Sequence, residues 1–278
     1  MILIADSGST KTDWALVDND GQRKGQYATK GINPFHLSDD DIQGIISNEL
    51  VPQITNCKVD KIYFYGAGCN ESQQQRMKDL LGNALSCNDV NVDSDLMGAA
   101  IALCGDSEGI ACILGTGSNS CLYDGHRIVE NIPPLGYILG DEGSGAVLGR
   151  HFMTLIFKDK RAESIKDLYL EETHQAYNDI IYNVYSAPAA NRYLASASKF
   201  IGKHINDFLE LRTLVRQNFN DFFERNIDRY GRMDLPVSFV GSIAWYFRDD
   251  LSFVAEQHKY TIGEILQRPL DGMIEHLK

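Results

Sequence analysis

Two short turns, rich in glycine and hydroxyl side chains, are the parts of this sequence whose residue types best suit chemistry. In the second of them, an apolar run at residues 110–114 leads into the sequence GTGSN at residues 115–119, and another short run follows. Glycine allows positive φ angles and lets a ligand approach the backbone N–H groups closely. A strand–turn–strand unit of this kind suits an anion, and phosphate is the anion we expect. The candidate phosphate ligands are Gly115, Thr116, Gly117 and Ser118.

The chain opens with the same arrangement. An apolar run at residues 2–5 is followed by DSGSTKT at residues 6–12, a second strand at 14–17 and an acidic Gly turn. This is not a Walker P-loop, because the G-x-x-x-x-G-K-[ST] spacing is absent and a strand, not a helix, is predicted next. Two such copies predict a duplicated lobe that holds one nucleotide between its two turns. The candidate phosphate ligands here are Gly8, Ser9, Thr10, Lys11 and Thr12.

Carboxylates lie at the ends of two predicted strands. Asp6 is either a turn-forming residue or an anchor for Mg²⁺ through water, since Mg²⁺ keeps several of its waters. Asp95 begins a predicted helix at residues 95–104, where a carboxylate is commonly a cap or a dipole partner. It could instead take the proton of a substrate hydroxyl while that oxygen attacks a γ-phosphorus. Asp93 is the second candidate for this general base.

Three further polar turns have both structural and functional interpretations. Asn33, in GINPF, is either a turn-forming residue or a ligand contact. Asp141, in GDEGSG, precedes a predicted helix and is either its N-cap or a ligand contact, with Glu142 as the alternative carboxylate. Gly241 and Ser242 follow an apolar strand at residues 237–240 and open a helix, which is a tight connection or a ligand-binding turn.

Taken together, these pieces resemble the actin-like ATPase superfamily of sugar kinases, Hsp70 and actin. Within it, the chain resembles the N-acetylglucosamine kinase and BadF/BadG-type ATPase family. The family's motifs occur in the family's order between residues 6 and 244, and together they are specific although each alone is weak. They are DSGSTKTDWALVD, GINPF, VDSDLMGA, ILGTGSNS, LGYILGDEGSG and FVGSIA. The family's first turn usually carries glycine where this chain has Ser7 and Ser9.

The resemblance implies an ATP-dependent kinase that transfers the γ-phosphate to an amino sugar, with the 6-hydroxyl of N-acetylglucosamine as the expected acceptor. ATP and Mg²⁺ are the implied cofactors. Asp95 would be the catalytic base and would also contact the substrate, and Asp6 would hold the metal. Gly241 and Ser242 would contact the adenosine. The other substrate-binding residues would be Asn33, Asn119, Gly136 and Asp141.

The resemblance also implies the fold class, which is α/β with two actin-like (ribonuclease H-like) lobes. Each lobe would have a mixed sheet flanked by helices, with ATP in the cleft between the lobes. We expect the N-terminal lobe at residues 1–105 and the C-terminal lobe at 106–264, with a closing helix within residues 265–278 that packs back on the first lobe. The last strand is predicted at residues 258–262 and a long helix at 143–157.

Composition excludes several other classes of protein. The net charge of −12 and the lack of a basic tract argue against a nucleic-acid partner. No apolar stretch approaches roughly 18 residues, and no signal peptide is evident, so we expect no membrane association. The six cysteines form no C-x-x-C pair, which favours reduced core cysteines in a cytoplasmic protein. A homodimer is a candidate assembly.

Two other functions stay open from the sequence. One is a BadF-type ATPase that activates an electron-transfer partner through an iron–sulfur cluster between subunits. That function needs paired cysteines, and Cys69, which follows a glycine turn, has no obvious partner in the sequence. The other is a nucleotide- or sugar-binding sensor without chemistry, which the joint presence of Asp6, Asp95 and Thr116 disfavours.

Overall fold

Two five-stranded sheets with the same strand order form the framework of the protein, described by a computed structural model that covers residues 1–8, 10–55 and 57–277. The first sheet has the order β3-β2-β1-β4-β5, with β2 antiparallel to both neighbours and β4 parallel to both neighbours. Its strands are β1 (Ile2–Ser7), β2 (Lys11–Val17), β3 (Arg23–Lys30), β4 (Lys61–Gly66) and β5 (Asp89–Ser94).

The second sheet repeats this order as β8-β7-β6-β9-β10, with β9 parallel to both β6 and β10. Its strands are β6 (Glu108–Leu114), β7 (Ser118–Asp124), β8 (Ile128–Asn131), β9 (Val237–Val240) and β10 (Ile262–Leu266). The repeated order confirms the predicted duplication and the predicted fold class, with two mixed sheets flanked by helices.

The chain divides into two compact units, one for each sheet. The first comprises Met1–Glu108, Tyr123–Ile128 and Arg268–Lys278, and the second comprises Gly109–Leu122 and Val129–Gln267. The helices of the first unit are α1 (Asp39–Ile45), α2 (Glu71–Leu85), α3 (Asp95–Cys104) and, from the C-terminus, α12 (Pro269–His276). Between α1 and β4 the helix continues as a π turn, Ile46–Leu50, and a 3-10 turn, Val51–Gln53.

The second unit is richer in helices, most of them between β8 and β9. They are α4 (Gly136–Leu139), α5 (Gly145–Lys158), α6 (Glu163–Thr173), α7 (Tyr177–Tyr185), α8 (Ala190–His204), α9 (Leu209–Phe222), α10 (Ser242–Tyr246) and α11 (Arg248–Gln257). Short turns of other helix types occur at Lys160–Ala162, Phe223–Ile227 and Asp228–Tyr230.

Burial on both faces explains why β1 is an apolar run and not an alternating pattern. Leu3, Ile4 and Ala5 are all fully buried, as expected for a central strand covered by helices on both sides. Trp14 of the neighbouring strand is fully buried too, and its indole N–H donates to Thr29 Oγ1 at 3.0 Å. That bond satisfies the one polar atom of the largest side chain in this core.

Helix α12 packs against α3 at positions where both helices have small residues. A Cβ on Gly272 would lie 2.3 Å from the backbone oxygen of Ala102, and a Cβ on Gly98 would lie 2.5 Å from the side chain of Met273. The two helix backbones therefore approach closely, and α12 supports the helix that begins at Asp95.

Most predicted elements lie where the sequence placed them, but the last strand does not. The last strand is predicted at residues 258–262, but β10 spans Ile262–Leu266. The residues before it are still hydrogen-bonded to the end of α11, which runs to Gln257, and the N–H of His258 donates to Val254 O at 3.1 Å. Lys259 then turns the chain with a φ of 65°. Helix α5 also begins two residues later than predicted, and α4 was not predicted at all.

Among the described residues, no helix combines the length and the apolar character needed to cross a bilayer.

Candidate active site

Two carboxyl groups whose pKa values are raised lie near each other in the first unit. Asp6 is the penultimate residue of β1, and Asp95 is the first residue of α3. Burial, the charge of Asp95 and the charge of Asp13 raise the pKa of Asp6 to about 7. Burial also raises the pKa of Asp95, and the backbone N–H of Leu96, which donates to its Oδ1 at 2.9 Å, opposes that rise. The unit thus holds two carboxylates in a place that disfavours negative charge.

The nearby lysine does little to offset that charge. Lys11 lowers the pKa of Asp6, but this effect is the smallest of those acting on it. Its ammonium group is bonded to Asp13 Oδ1 at 2.6 Å, and about half of the lysine side chain is exposed. Asp6 therefore lies near a cation that is already paired with another carboxylate.

The turn between β1 and β2 is anchored by a buried hydroxyl pair. Ser7 Oγ and Thr12 Oγ1 are 2.7 Å apart, and both side chains are fully buried. Ser7 Oγ also lies 2.9 Å from Ile32 O, and Thr12 Oγ1 lies 3.3 Å from Lys30 O, so one hydroxyl donates to the other and the second donates to its carbonyl. The Thr12 hydroxyl, a predicted phosphate donor, is thus already hydrogen-bonded inside the protein.

The rest of this turn is open to solvent. Gly8, Thr10 and Lys11 are exposed, and the N–H of Gly8 donates to Lys11 O at 3.0 Å, which closes the turn. The predicted phosphate ligand Ser9 lies outside the described residues. The phosphate-binding role of this turn stays a prediction.

Asp95 is not the N-cap of α3. The capping side chain is Ser94, whose Oγ accepts from the N–H of Met97 at 3.2 Å. Asp95 is therefore the first helical residue, where the helix dipole favours a negative charge. The competing carboxylate, Asp93, lies on β5, and its Oδ1 accepts from the N–H of Ser94 at 2.7 Å.

The turn between β6 and β7 rests against the start of α5. The N–H groups of Gly145 and Ala146 donate to the carbonyls of Gly115 and Thr116 at 2.8 and 3.1 Å. A Cβ on Gly115 would meet nothing within 4 Å, so this side of the turn faces open space. Thr116 is exposed as well. Helix α5 therefore binds the carbonyl groups on one side of the turn, and the other side is accessible to a ligand.

Asp141 lies against the same turn. The backbone N–H of Ser118 donates to its carboxylate, and a Cβ on Gly117 would lie 3.1 Å from its Oδ2. Burial and the charge of Glu142 raise the pKa of Asp141 to about 6. Its φ is 53°, a conformation that few residues other than glycine adopt. The structure thus holds a carboxylate beside the predicted phosphate turn in a conformation that costs energy.

Asp141 is also not a helix cap, because Ser144 caps α5 and its Oγ accepts from the N–H of Val147 at 3.2 Å. The neighbouring Glu142 is ion-paired with Arg225 at 2.9 Å. Of the two carboxylates that are candidate sugar contacts, Glu142 is therefore already paired with an arginine.

Asn218, on α9, was not singled out from the sequence, yet it binds the segment that carries Asp141. It is almost fully buried, its Oδ1 accepts from the N–H of Gly143, and its Nδ2 donates to Ser144 O, both at 3.3 Å. The sequence signal was an asparagine at helical spacing from the buried apolar residues Leu211, Val215 and Phe222 of α9.

Gly241 can lie directly beside the β6–β7 turn because it has no side chain. Its φ is 124°, and a Cβ there would lie 2.3 Å from Leu114 O and 3.2 Å from the nitrogen of Gly115. Ser242 follows as the first residue of α10. The second unit therefore brings together the predicted phosphate turn, Asp141 and the predicted adenosine turn.

The remaining predicted substrate residues have structural partners of their own. Asn33 is nearly buried, and its Oδ1 accepts from the N–H of Phe35 at 3.0 Å. Asn119 Oδ1 accepts from Asn131 Nδ2 at 2.9 Å. Gly136, with a φ of 73°, begins α4 next to open space. Their contacts with substrate stay predictions.

The donor set of the first unit suits a magnesium ion that arrives with phosphate groups. Asp6 offers carboxylate oxygens, the ligands Mg²⁺ prefers, and a cation beside it would counter both the burial and the neighbouring negative charges that raise its pKa. Within the described part of the chain, no group of three or more His, Cys, Asp or Glu residues could hold a metal. One carboxylate combined with phosphate oxygens and water is the usual arrangement for Mg²⁺ at nucleotide sites.

Comparison with solved structures gives clear relatives. A crystal structure described as the "Putative N-acetylglucosamine Kinase" from Porphyromonas gingivalis is 46% identical, with a TM-score of 0.93, and the match covers 99% of this chain and 98% of that chain. A "Putative N-acetylglucosamine Kinase" from Chromobacterium violaceum is 18% identical, with a TM-score of 0.74, over 100% and 98% of the two chains.

A more distant match is a ROK family glucokinase from Streptomyces griseus, solved in complex with glucose and AMPPNP. It is 14% identical, with a TM-score of 0.56, over 99% of this chain and 97% of that chain. These two lower identities show the shared fold alone. No family model matches the chain, and no curated protein matches it.

We predict that Asp6→Asn stabilises the protein in a pH-dependent way. The pKa of Asp6 in the folded state, about 7, lies above its ordinary value of 3.8, so stability falls as pH rises between these values. Removing the titration should raise the free energy of unfolding more at pH 8 than at pH 5, by roughly 2–3 kcal/mol. Urea unfolding at both pH values measures this difference. The prediction would be contradicted if Asp6→Asn changed the free energy of unfolding equally at both pH values. It would also be contradicted if Asp20→Asn, in an exposed turn, gave the same pH-dependent change.

Proposed function

The chain belongs to the N-acetylglucosamine kinase and BadF/BadG-type family of actin-like ATPases, and from that premise we propose that it is an ATP-dependent sugar kinase. The proposed acceptor is an amino sugar, N-acetylglucosamine, and the proposed site of phosphorylation is its 6-hydroxyl. The name of the Porphyromonas gingivalis relative supports the choice of sugar.

One observation carries the proposal, namely the neighbouring carboxylates of Asp6 and Asp95 with raised pKa values. A kinase needs one carboxylate to receive a proton and another to hold the metal that accompanies ATP. A carboxylate whose pKa is raised is also a stronger base than an ordinary aspartate. Strongly shifted carboxylates that lie together are typical of catalytic sites.

In the proposed reaction, Asp95 accepts the proton of the sugar hydroxyl. The hydroxyl oxygen forms a bond to the γ-phosphorus, the bond from that phosphorus to the β–γ bridging oxygen breaks, and ADP leaves with the bonding electrons. Asp95 can serve in this way because Ser94 caps the helix in its place. Most of the catalysis would come from positioning and from neutralisation of charge, as in other phosphoryl transfers.

The phosphates of ATP are assigned to the turns at residues 8–12 and 115–118. In the second turn, the carbonyls are held by α5, and the opposite side is open to a ligand. Gly241 and Ser242 are assigned to the adenosine, beside Gly115. Asp6 is the proposed Mg²⁺ ligand, and the bound ion would neutralise charge on the phosphates.

For the sugar, Asp141 is the better of the two candidate carboxylates. Glu142 is ion-paired with Arg225, whereas Asp141 accepts a hydrogen bond from the N–H of Ser118 and has a raised pKa. A carboxylate oxygen accepts hydrogen bonds from sugar hydroxyls, and a strained conformation beside a ligand turn is often retained for function. Asn33 and Asn119 are the other proposed contacts.

The test is a coupled ADP-release assay with Mg-ATP, run alone and with N-acetylglucosamine, glucosamine, N-acetylmannosamine, N-acetylmuramic acid and glucose. We expect little ADP release without sugar, strong stimulation by N-acetylglucosamine, and a product phosphorylated at the 6-position by NMR. ATP hydrolysis that is indifferent to every sugar would favour the ATPase-activator function. ATP binding without turnover on any sugar would favour a sensor.

Asp95→Asn should lower kcat by about 10²–10⁴-fold, the usual contribution of a general base. The KM for ATP should stay near the native value, because Asp95 is assigned to the acceptor hydroxyl. Asp93→Asn is the matched control, two residues away on β5, and should retain most activity. If the two variants behaved in the opposite way, Asp93 would be the base and the assignment of Asp95 would be wrong.

A further inference from the structure

Arg76, on α2, binds the segment between β3 and α1 at several points. Its Nη1 donates to Pro34 O at 2.7 Å, and its Nη2 donates to Leu37 O at 2.9 Å. Its Nε donates to Asp39 Oδ1, in the first turn of α1, at 2.6 Å. One guanidinium therefore joins two backbone carbonyls and a carboxylate that lie on both sides of a single turn.

That turn carries Asn33, the proposed sugar ligand of the first unit. The carbonyl of Asn33 accepts from the N–H groups of His36 and Leu37 at 3.0 and 3.1 Å, and its Oδ1 accepts from the N–H of Phe35. Phe35, at the tip, is 57% exposed. Asn33 thus shapes the turn from within, while Arg76 holds its two ends from outside.

The turn also lies close to the neighbourhood of Asp95. Gly68 has a φ of 82°, and a Cβ on it would lie 2.3 Å from Asn33 Oδ1. The next residue, Cys69, is fully buried, and after burial the charge of Asp95 is the strongest influence that raises its pKa, to about 12. The Asn33 turn therefore packs against Gly68, and the next residue, Cys69, lies within the electrostatic influence of the carboxylate proposed as the base.

We propose that Arg76 is a positioning residue for the sugar, acting through the Asn33 turn without touching the substrate. This inference rests on the proposed function of Asn33 and goes beyond it, because it names the residue that keeps that side chain in place. A turn ordered before binding spares the complex the entropy of ordering it afterwards. Loss of Arg76 should therefore weaken the binding of sugar more than that of ATP.

The geometry requires arginine and not merely a positive charge. The guanidinium is a rigid planar fork, and two of its nitrogens reach two carbonyls three residues apart in the turn. A lysine ammonium is a single point of charge on a flexible stem, so it can keep the ion pair with Asp39 but cannot reproduce the fork. Charge and shape can therefore be separated by substitution.

Arg76→Lys and Asp39→Asn form the matched pair for the test. Arg76→Lys keeps the charge and loses the fork, and we expect the KM for N-acetylglucosamine to rise about tenfold, with kcat and the KM for ATP within about twofold of native. A tenfold change corresponds to about 1.4 kcal/mol. Asp39→Asn keeps the fork and loses the ion pair, and its sugar KM should stay within about twofold of native.

Hydrogen exchange of the free protein gives a readout independent of catalysis. In Arg76→Lys, the amides of Phe35, His36 and Leu37 should exchange faster, and in Asp39→Asn they should exchange at the native rate. Equal effects of the two variants on exchange, or equal losses of sugar and ATP binding in Arg76→Lys, would overturn the inference, because either would mark a general loss of stability.

Asn33→Ala separates failure of the inference from failure of the proposed function. If Asn33→Ala raises the sugar KM and Arg76→Lys does not, Arg76 is not a positioning residue and the inference is overturned. If Asn33→Ala leaves the sugar KM unchanged, the proposed role of Asn33 is wrong, and the inference that depends on it is overturned with it.

Discussion

The burial of carboxylate groups near one another is the constraint on which the candidate site depends. Burial makes Asp6 and Asp95 each less stable as anions in the fold than in water, and the charge of Asp95 adds to the cost of ionising Asp6. A protein selected for stability alone would have little reason to keep such a pair, because an unpaired buried charge costs several kcal/mol unless the group shifts its pKa. A cation bound beside Asp6, and a substrate hydroxyl that gives its proton to Asp95, would each relieve that cost. In this account, the free energy withheld from folding becomes available when metal, nucleotide and sugar bind.

Close packing of backbones fixes the elements that carry these groups. Helix α3 can present Asp95 because Gly98 and Gly272 let α12 approach its backbone, and a side chain at either position would meet neighbouring atoms at 2.5 Å or less. In the second unit, Gly241 has the same role beside Leu114. Native interiors are packed densely enough that even a methyl group at such positions displaces a neighbour. The site residues are therefore held by the framework and not only by their own hydrogen bonds.

The sequence predicted the framework well because the framework is encoded locally. Helix α3 and strand β9 have the bounds that their apolar runs and turn residues indicated. The prediction was wrong for the last strand. The residues that follow α11 are predicted as a strand, but their backbone N–H groups donate to the end of that helix. No local pattern distinguishes those two outcomes, since the deciding partners lie elsewhere in the chain.

The site was less predictable than the fold for the same reason. Asp95 and Asp141 each precede or begin a helix, and only the structure shows that Ser94 and Ser144 are the caps. Some of the deciding hydrogen bonds join residues that are far apart in sequence or ordinary in type. Examples are the bonds of Thr12 with Ser7 and Lys30, and the bond from Arg76 to Pro34 O in a distant turn. The sequence could name candidate residues by their chemistry, but it could not say which hydrogen bonds already occupy them.

The most direct measurement is an NMR titration of the aspartate side-chain carboxyl carbons in the free protein, with Asp6→Asn used to identify the signal of Asp6. The account predicts that this signal titrates near pH 7, because burial and the neighbouring carboxylates disfavour its charge. Adding Mg²⁺ with a non-hydrolysable ATP analogue should then lower that pKa, since a cation stabilises the charged form. A pKa near 3.8 in the free protein would contradict the account, because Asp6 would then be an ordinary surface carboxylate with no cost for a ligand to relieve.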